Sequence, residues 1–344
     1  MRAMVVRDYE SPLELMELPL PEVMPGSVLV RVLTCGVCYS DVKTARGQGA
    51  HRDTLPLPHV PGHEICGQIA HAGRNTGFRE GDRVIVYNYW SCGECDLCRM
   101  DLEHLCENMQ GRVGFTVPGG FQEYVAVPAH RLLHLPDGIS PEQAAPSSCA
   151  LGTSFRAVIT RGQVRPGMTV VIQGVGGVGL NSLQVARAAG AQVVAVDIDS
   201  RHLQMAAQLG AAKVTMPEEH AREAVSALTH GLGADVLIDT VGREDSLMRA
   251  AQLVRPEGRV VGVGYTVGAL AQIPINDFVG REIEFVGSRY VRQCELEQAL
   301  RMLANGQVRN VIDDVLPLEK VNQAFTKLEQ GNVVGRVVLR VAEP

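Results

Sequence analysis

Short apolar runs separated by glycine, proline and polar residues predict a chain built in two different ways. Up to about residue 150, the runs VLVRVL, GQIAHA, DRVIVY and EYVAVP are bounded by turn residues, a pattern typical of strands in an irregular β-rich region. From Thr169 onward, six apolar runs alternate with helix-length segments; they are TVVIQG, QVVAVD, AKVTM, DVLID, RVVGVG and EIEFVGS. This alternation predicts a doubly wound α/β domain with a six-stranded parallel sheet.

The pattern changes again after residue 292. CELEQALRMLANGQ predicts a helix, residues 321–328 predict a second one, and RVVLRV predicts a closing strand. This tail lies outside the six-stranded unit. It therefore forms either a third small element or a segment that folds back onto the N-terminal part.

The composition is that of a globular protein with about two domains. The chain has 344 residues, of which 46% are hydrophobic and 20% charged. A net charge of -6 without a basic block gives no reason to expect a nucleic acid or a membrane as partner. No apolar run approaches the ~18 residues that span a bilayer, and the first ten residues carry charge throughout, so we expect a cytoplasmic protein.

The sequence GVGGVG follows the first strand of the predicted parallel sheet and leads directly into a helix-like segment. Its first glycine permits a tight turn, the second lets the backbone approach a pyrophosphate, and the last allows close packing of helix on strand. The free N–H groups at the helix start attract phosphate. This context favours a Rossmann dinucleotide site over a glycine-rich turn without a ligand, and the motif comprises Gly174, Gly176, Gly177, Val178 and Gly179.

Asp197 ends the second strand of this domain, 23 residues after Gly174. A carboxylate in this place accepts hydrogen bonds from the ribose hydroxyls of adenosine and repels a 2′-phosphate, so NAD is favoured over NADP. Arg201 lies four residues further on, and an arginine nearby is how NADP is usually accommodated.

The chain contains nine cysteines, and four of them fall within fifteen residues of one loop. Four thiolates at such spacing can close a tetrahedron around one zinc, which is the arrangement of a structural site. An iron–sulfur cluster is the second interpretation and a pair of disulfides the third. We call this segment the four-cysteine loop; its cysteines are Cys92, Cys95, Cys98 and Cys106.

Cys38, His63 and Cys149 lie too far apart in the sequence for their spacing to show that they belong to one site. In TCGVCYSD, Cys35 and Cys38 lie two residues apart, but no thioredoxin-like pattern surrounds them, so Cys35 is expected to pack into the core. His63 taken alone is more often a structural histidine than a ligand, and Cys149 more often a small buried hydrophobic residue.

At this point the sequence resembles the zinc-dependent medium-chain dehydrogenases related to alcohol and polyol dehydrogenases. The resemblance covers essentially the whole chain and rests on seven motifs in order: CGVCYSD at 35–41, GHEICG at 62–67, GDRV at 81–84, the four-cysteine loop at 92–106, GGFQEYVAVP at 119–128, CALGT at 149–153 and GVGGVG at 174–179. It implies a GroES-like catalytic domain over residues 1–150, completed by about 293–344, and a Rossmann NAD-binding domain over 151–292.

The resemblance also implies roles for single residues. Cys38, His63 and Cys149 match the three protein ligands of the family's catalytic zinc, and the four-cysteine loop matches its structural zinc site, so two zinc ions are expected per chain. Around the catalytic zinc, Glu64 matches an acid beside the histidine, Asp41 an acid that supports the ligands, Ser40 the hydroxyl that takes the substrate proton, Thr153 a residue against the nicotinamide and Arg336 a residue that contacts the cofactor phosphates.

One position departs from the family pattern. Many relatives have a histidine five residues after the first zinc ligand, which passes a proton to solvent, whereas this chain has Lys43. A lysine is normally charged at neutral pH, so it serves as a relay only where burial lowers its pKa. His51 is the nearby substitute, and a solvated loop histidine is the alternative interpretation of it.

The resemblance predicts an enzyme that transfers a hydride between an alcohol, or its carbonyl product, and NAD, as a homodimer or homotetramer. Five residues fall at or near positions that line the substrate pocket in relatives: Tyr39, Asn88, Tyr89, Trp90 and Phe115. The clustering of aromatic side chains among them favours a substrate bulkier than ethanol, although several of them can simply support the metal loops. The alternatives are reduction of a conjugated double bond, oxidation of a hydroxyacyl thioester and a non-catalytic structural protein.

Overall fold

The apolar runs of the sequence form strands in a computed structural model of the chain, which describes residues 1–48, 55–217 and 219–343. The strands are β1 (Arg2–Val5), β2 (Glu14–Glu17), β3 (Ser27–Val37), β4 (Glu64–His71), β5 (Arg83–Val86), β6 (Tyr89–Trp90), β7 (Gly111–Arg112), β8 (Tyr124–Pro128), β9 (Leu132–His134), β10 (Thr169–Gln173), β11 (Gln192–Val196), β12 (Lys213–Thr215), β13 (Ala234–Asp239), β14 (Val254–Gly262), β15 (Glu284–Gly287), β16 (Ile312–Pro317) and β17 (Arg336–Arg340).

The helices alternate with strands mainly in the second half of the chain. The α-helices are α1 (Tyr39–Ala45), α2 (Asp96–Arg99), α3 (Pro141–Ala144), α4 (Ala150–Phe155), α5 (Gly177–Ala188), α6 (Ser200–Gln208), α7 (Glu219–Thr229), α8 (Ser246–Ala251), α9 (Ile275–Gly280), α10 (Gln293–Ala304) and α11 (Val321–Glu329). Short 3-10 helices cover Glu103–Leu105, Ala129–Arg131, Ala145–Ser148 and Leu318–Lys320, and a π-helical segment covers Arg156–Arg161.

The chain divides into two compact units. The first consists of Met1–Cys149, Arg292–Ala304 and Ile312–Pro344, and the second of Ala150–Val291 and Asn305–Val311. None of the helices within the described residues is long and apolar enough to cross a bilayer.

The second unit contains the predicted six-stranded parallel sheet, in the order β12-β11-β10-β13-β14-β15. Its strands are rich in β-branched residues that pack on a pleated surface, and Val171, Val194, Leu237 and Val260 are buried in its core. The strand order reverses between β10 and β13, and ligands of such sheets bind at the carboxyl ends of the strands at this point. The doubly wound fold class is confirmed.

The first unit is built around β3, an 11-residue strand that pairs with β4, β8 and β17. The sheet runs in the order β16-β17-β3-β4-β5-β9, and its core includes Val30, Ile65, Phe121 and Phe325. Cys35 is fully buried in this core, as expected. Because β17 pairs with β3, the C-terminal tail folds back onto the N-terminal part.

One short piece of the tail, residues 305–311, packs with the second unit instead. The side chain of Gln184 on α5 donates to the carbonyl of Arg309 at 2.9 Å and accepts from its N–H at 2.9 Å. Asn181, one turn earlier, donates to Asn310 at 3.1 Å. The predicted tail from about residue 293 is therefore interrupted, because Asn181 and Gln184 of α5 hold residues 309 and 310.

Candidate functional site

Three strand ends of the first unit meet at one place. The register pairs Gly36, near the end of β3, with Glu64 at the start of β4 and with Val338 of β17. Consequently Cys38 and His63, which flank these strands in sequence, lie close together although 25 residues separate them.

Asp41 links these two residues. Cys38 caps the N-terminus of α1, and its backbone N–H donates to Asp41 Oδ2 at 2.9 Å. The other oxygen, Oδ1, lies 2.7 Å from His63 Nδ1, and both side chains are buried. A carboxylate at Nδ1 fixes the imidazole so that Nε2 is left for a metal.

The ligand atoms of Cys38, His63, Glu64 and Cys149 all lie within 4.8 Å of one another. Cys149 directly follows the 3-10 helix Ala145–Ser148, which brings it to the site from elsewhere in the first unit. Two sulfurs and one imidazole nitrogen are the donor set of a catalytic zinc site that keeps one position open, so the residues fit this metal.

Hydrogen bonding between the two thiols separates their pKa values. The bond from Cys149 lowers the pKa of Cys38, and the nearby Arg336 guanidinium lowers it further. The same bond, together with burial, raises the pKa of Cys149. Burial lowers the pKa of His63, but the carboxylate of Asp41 and the Cys38 sulfur more than offset this, so its pKa is raised. A bound metal displaces these protons, because its ligands are thiolates and a neutral imidazole.

Glu64 is fully buried and pairs with Arg336, the first residue of β17. Arg336 Nε lies 3.1 and 3.2 Å from the two carboxylate oxygens, and Nη2 lies 2.9 Å from Oε1. The same Nη2 donates to Cys38 Sγ at 3.4 Å. Burial raises the pKa of Glu64 to about 7, although the guanidinium opposes this shift. The expected contact of Arg336 with cofactor phosphates stays a prediction.

Gly36 leaves the space that the Glu64 carboxylate fills. A Cβ on Gly36 would lie 2.0 Å from Glu64 Oε2, closer than non-bonded atoms approach. Neither this contact nor the pairing of Arg336 was predicted. The register of β3, β4 and β17 brings these residues together, and this register cannot be read from the short motifs CGVC and GRVV.

The predicted proton-transfer residues lie on α1. Ser40 is half-buried in the first turn of this helix, two residues beyond Cys38. Lys43 is also half-buried, and its ammonium lies 5.7 Å from the ring centroid of Tyr39. His51 lies outside the described residues. The relay therefore stays a prediction for both Lys43 and His51.

Two residues of the predicted substrate wall pack against or hydrogen-bond to His63. Phe115 packs against His63 with ring centroids 4.8 Å apart, and the Asn88 amide donates to the His63 carbonyl at 3.3 Å. Tyr89 accepts a hydrogen bond from Arg112 at 2.7 Å. Tyr39 is exposed and lies against Lys43, and its place in a substrate wall stays a prediction.

The four-cysteine loop brings its sulfurs into a tetrahedron-like cluster. The Cys95–Cys98 and Cys92–Cys106 pairs are 3.5 Å apart, Cys95–Cys106 is 3.8 Å and Cys92–Cys98 is 3.9 Å. Zn–S bonds of about 2.3 Å place tetrahedral sulfurs about 3.8 Å apart, so one zinc ion fits. The disulfide alternative is wrong, since all nine cysteines are free.

Backbone N–H groups also face these sulfurs. The N–H of Cys92 donates to Cys106 Sγ, and that of Cys95 to Cys92 Sγ, both at 3.4 Å. Backbone donors, that of Glu94 first, lower the pKa of Cys92 to about 6, whereas burial raises that of Cys106 to about 12. A thiolate at Cys92 is thus favoured by the fold of the loop itself.

The four-cysteine loop is fastened to α10, where the chain re-enters the first unit. Glu103 Oε1 accepts a hydrogen bond from the backbone N–H of Gln293, at 2.8 Å, at the helix N-terminus. Arg131 donates to the Ser91 hydroxyl at 2.6 Å and to Gln293 Oε1 at 3.3 Å. Loop and returning chain are therefore held by a shared polar network.

The glycine motif has the geometry predicted for a dinucleotide turn. Gly174 has a φ of +82°, and a Cβ on Gly179 would lie 1.9 Å from the Gly174 carbonyl oxygen, so only glycine fits there. Gly176 caps α5 and faces open space, where a phosphate can approach the backbone. Gly177 and Val178 are the first residues of α5, so the helix begins within the motif, earlier than the sequence predicts.

Asp197 lies beside this turn at the end of β11. Its Oδ2 accepts from the Val175 N–H at 2.7 Å and lies 3.3 Å from His202 Nδ1, and its Oδ1 accepts from the Asp199 N–H at 2.9 Å. Burial raises the pKa of Asp197, but these donors together lower it, so it is a carboxylate at neutral pH.

Arg201 pairs with Asp199, two residues after Asp197. Its guanidinium binds Asp199, with Nε 3.1 Å from Oδ1. Thr153 is buried on α4 of the second unit, and its expected position against a nicotinamide stays a prediction.

Comparisons with known proteins agree with this architecture. The alcohol dehydrogenase GroES-like domain model matches residues 24–137, and the zinc-binding dehydrogenase model matches residues 177–305. An alcohol dehydrogenase of Geobacillus stearothermophilus is 37% identical over 99% of this chain and 100% of its own. The NAD-dependent alcohol dehydrogenase of Sulfolobus acidocaldarius is 34% identical over 99% and 100%. The crystal structure of AibC superimposes with a TM-score of 0.92 at 35% identity, covering 100% of this chain and 96% of that one. The chain belongs to the zinc-dependent medium-chain dehydrogenase family.

Proposed function

We propose that this protein is a zinc-dependent alcohol dehydrogenase that transfers a hydride between an alcohol, or its aldehyde or ketone, and NAD. The observation that carries the proposal is the ligand set of Cys38, His63 and Cys149, gathered within 4.8 Å beside Glu64. Relatives named alcohol dehydrogenases, 34% and 37% identical over the whole chain, support the same activity.

The chemistry divides between the bound groups and the chain. Zinc, when bound here, lowers the pKa of an alcohol at its open position and, in the reverse direction, polarises a carbonyl. Asp41 holds His63 in the orientation that presents Nε2, and Cys38 and Cys149 supply two thiolates. Ser40, in the first turn of α1, takes the proton of the substrate hydroxyl, and Lys43 or His51 carries it toward solvent.

We assign two zinc ions to each chain, the second in the four-cysteine loop. The sulfur separations of 3.5 to 3.9 Å support a closed site that holds the loop together. In the second unit, Gly176 and the start of α5 bind the pyrophosphate of NAD, Asp197 the adenosine ribose and Thr153 the nicotinamide. The cytoplasmic location and assembly as a homodimer or homotetramer stay predictions from composition and resemblance.

The decisive experiment is to follow NADH formation across a panel of aliphatic, aromatic, polyol and acyl-thioester alcohols, with zinc measured on the same preparation. We expect two zinc ions per chain, and activity that a chelator abolishes and added zinc restores. Activity that survives complete loss of zinc would contradict the proposal, and the best substrate in the panel identifies the substrate class.

The choice of NAD is tested at Asp197. Asp197→Ala removes the carboxylate that repels a 2′-phosphate, so the ratio of kcat/KM for NAD over NADP should fall by about tenfold or more. Asp199→Ala, which removes the neighbouring carboxylate bound to Arg201, is the matched control. An unchanged ratio in Asp197→Ala would show that another residue sets the preference.

A further inference from the structure

The first peptides of the glycine turn are tied to the strands on both sides of β10. On one side, the Gly174 N–H donates to the Val196 carbonyl of β11 at 2.8 Å. The Val175 N–H donates to Asp197 Oδ2, just beyond β11, at 2.7 Å. On the other side, the Thr240 hydroxyl donates to the Gly174 carbonyl at 2.7 Å. The peptide group between Gly174 and Val175 is therefore held at both its oxygen and its nitrogen.

Thr240 reaches the turn because β10 and β13 are neighbours where the strand order reverses. Gln173 ends β10, Asp239 ends β13, and the two residues are paired in register. Thr240 is thus the first residue beyond β13, as Gly174 is the first beyond β10. The Thr240 N–H donates to the Gln173 carbonyl at 3.0 Å, so the strand pairing extends to the residue that carries the hydroxyl.

Asp239 is a buried carboxylate that no step of the proposed reaction uses, and it fixes the segment that carries Thr240. Its Oδ1 accepts hydrogen bonds from the Val241 N–H at 3.0 Å and from Gln173 Nε2 at 3.2 Å. Its Oδ2 accepts from the Ser246 hydroxyl at 2.6 Å. Because buried polar networks of this kind rigidify the backbone around them, the Thr240 hydroxyl is presented from a fixed position.

The Gly174 carbonyl lies between this hydroxyl and the start of α5. A Cβ on Gly174 would lie 2.7 Å from Thr240 Oγ1, and a Cβ on Gly179 would lie 1.9 Å from the Gly174 oxygen. Only Val175 and Gly176 separate Gly174 from Gly177, the first residue of α5. A peptide group is planar, so fixing its oxygen and its nitrogen fixes the direction in which the chain enters the helix.

We propose that Thr240 is a positioning residue for NAD, whose hydroxyl holds the Gly174–Val175 peptide so that the N–H groups at the start of α5 face the pyrophosphate. The inference rests on the proposed NAD site in the second unit. Thr240 acts through the turn and needs no contact with the cofactor. Its loss should therefore weaken the binding of phosphate groups and leave the proposed contact of Asp197 with the adenosine ribose in place.

Binding of cofactor fragments to the full-length, zinc-loaded protein tests this, with displacement of fluorescent NADH as the readout. Thr240→Val replaces the hydroxyl with a methyl group of similar size. We expect the affinity for ADP-ribose, which carries the pyrophosphate, to fall by about three- to tenfold, the range for one lost hydrogen bond. The affinity for adenosine, which has no phosphate, should not change. Thr240→Ser keeps the hydroxyl and should bind ADP-ribose as wild type does.

Thr229→Val is the matched control. Thr229 ends α7, ahead of the amino end of β13, so it lies at the opposite edge of the sheet from the glycine turn. Its hydroxyl donates to the Val225 carbonyl at 2.8 Å and accepts from the Gly233 N–H at 3.0 Å. Thr229→Val should therefore lose stability without losing affinity for ADP-ribose. Circular dichroism checks that each variant is folded. Should Thr240→Val fail to fold, Thr240→Ala is expected to show the same selective loss of affinity.

The outcomes separate the inference from the proposed function. If wild type binds neither NADH nor ADP-ribose, the proposed NAD site is wrong, and the inference falls with it. If wild type binds both and folded Thr240→Val binds ADP-ribose equally well, the proposed function stands and the positioning role is overturned. An equal loss of affinity for adenosine and ADP-ribose, or a loss that Thr240→Ser also shows, would overturn the positioning role too.

Discussion

The two cysteine-containing clusters of the first unit gather their ligands by opposite routes. The four-cysteine loop takes all its sulfurs from residues 92–106, a stretch whose regular structure is limited to α2 and one 3-10 turn. The other cluster takes Cys38 from the end of β3, His63 from the residue before β4 and Cys149 from the end of a 3-10 helix.

From this difference we expect the four-cysteine loop to serve the stability of the fold and the other cluster to serve catalysis. In α2 no residue is buried, so apolar packing supplies little stability there, and we expect a bound metal to hold the loop. At the second cluster, the pairing of β3 with β4 and β17 already fixes the sheet, and the sheet positions the candidate ligands. Loss of a ligand should therefore cost stability at the first cluster and activity at the second.

The largest effect is expected for Cys149→Ser. This variant should lose one of two zinc ions and at least about a thousandfold in kcat/KM, because the substrate oxygen loses its Lewis acid. The unfolding temperature should change by only a few degrees, since the sheet persists. Zinc analysis, steady-state kinetics and thermal unfolding check this. Cys294→Ser, which changes an exposed cysteine on α10, is the control. Full activity in Cys149→Ser would show that Cys149 is not a ligand of the catalytic zinc.

Cys106→Ser should show the reverse. It opens the four-cysteine loop and should lower the unfolding temperature by about 10 °C, given several kcal/mol of lost metal binding. Limited proteolysis should then cut within residues 92–106, while the fraction that stays folded keeps the zinc ion expected at Cys38, His63 and Cys149. An unfolding temperature equal to that of wild type would mean that the loop does not depend on metal.

The same contrast explains what the sequence could predict. The cysteine spacing of the four-cysteine loop and the alternation of apolar runs are local signals, so the structural cluster and the six-stranded sheet were predicted from residues alone. The sequence separation is 25 residues between Cys38 and His63 and 86 residues between His63 and Cys149. Only the resemblance to a family predicted that these three residues form one site.

Other features depended on register, which no local pattern fixes. The pairing of Gly36 with Glu64 follows from how β3 and β4 align, and the position of Arg336 follows from the pairing of β17 with β3. The buried amides of Asn181 and Gln184 lie three residues apart on α5, but their partner segment, 305–311, lies more than a hundred residues away.

Gly36→Ala tests whether the catalytic cluster tolerates small changes in its sheet. The added methyl group would lie 2.0 Å from Glu64 Oε2, so the carboxylate or the strand must shift. We expect kcat/KM to fall by about ten- to a hundredfold, with the zinc of the four-cysteine loop retained. Gly280→Ala adds a methyl group where no atom lies within 4 Å and is the control. Equal activity in both variants would show that the packing of Glu64 against Gly36 is more adaptable than the distances indicate.

The smallest effect is expected where the four-cysteine loop touches α10. Glu103→Ala removes the carboxylate that caps the backbone N–H of Gln293, a contact of the kind worth about 1 kcal/mol, so the unfolding temperature should fall by about 2–4 °C. Both zinc ions and the kinetics should stay unchanged, because the four sulfurs do not involve Glu103. Glu103→Gln keeps an oxygen acceptor and should lose less. If Glu103→Ala instead releases zinc, the network with α10 helps to shape the metal cluster, and the four-cysteine loop is less self-contained than its contiguous sequence indicates.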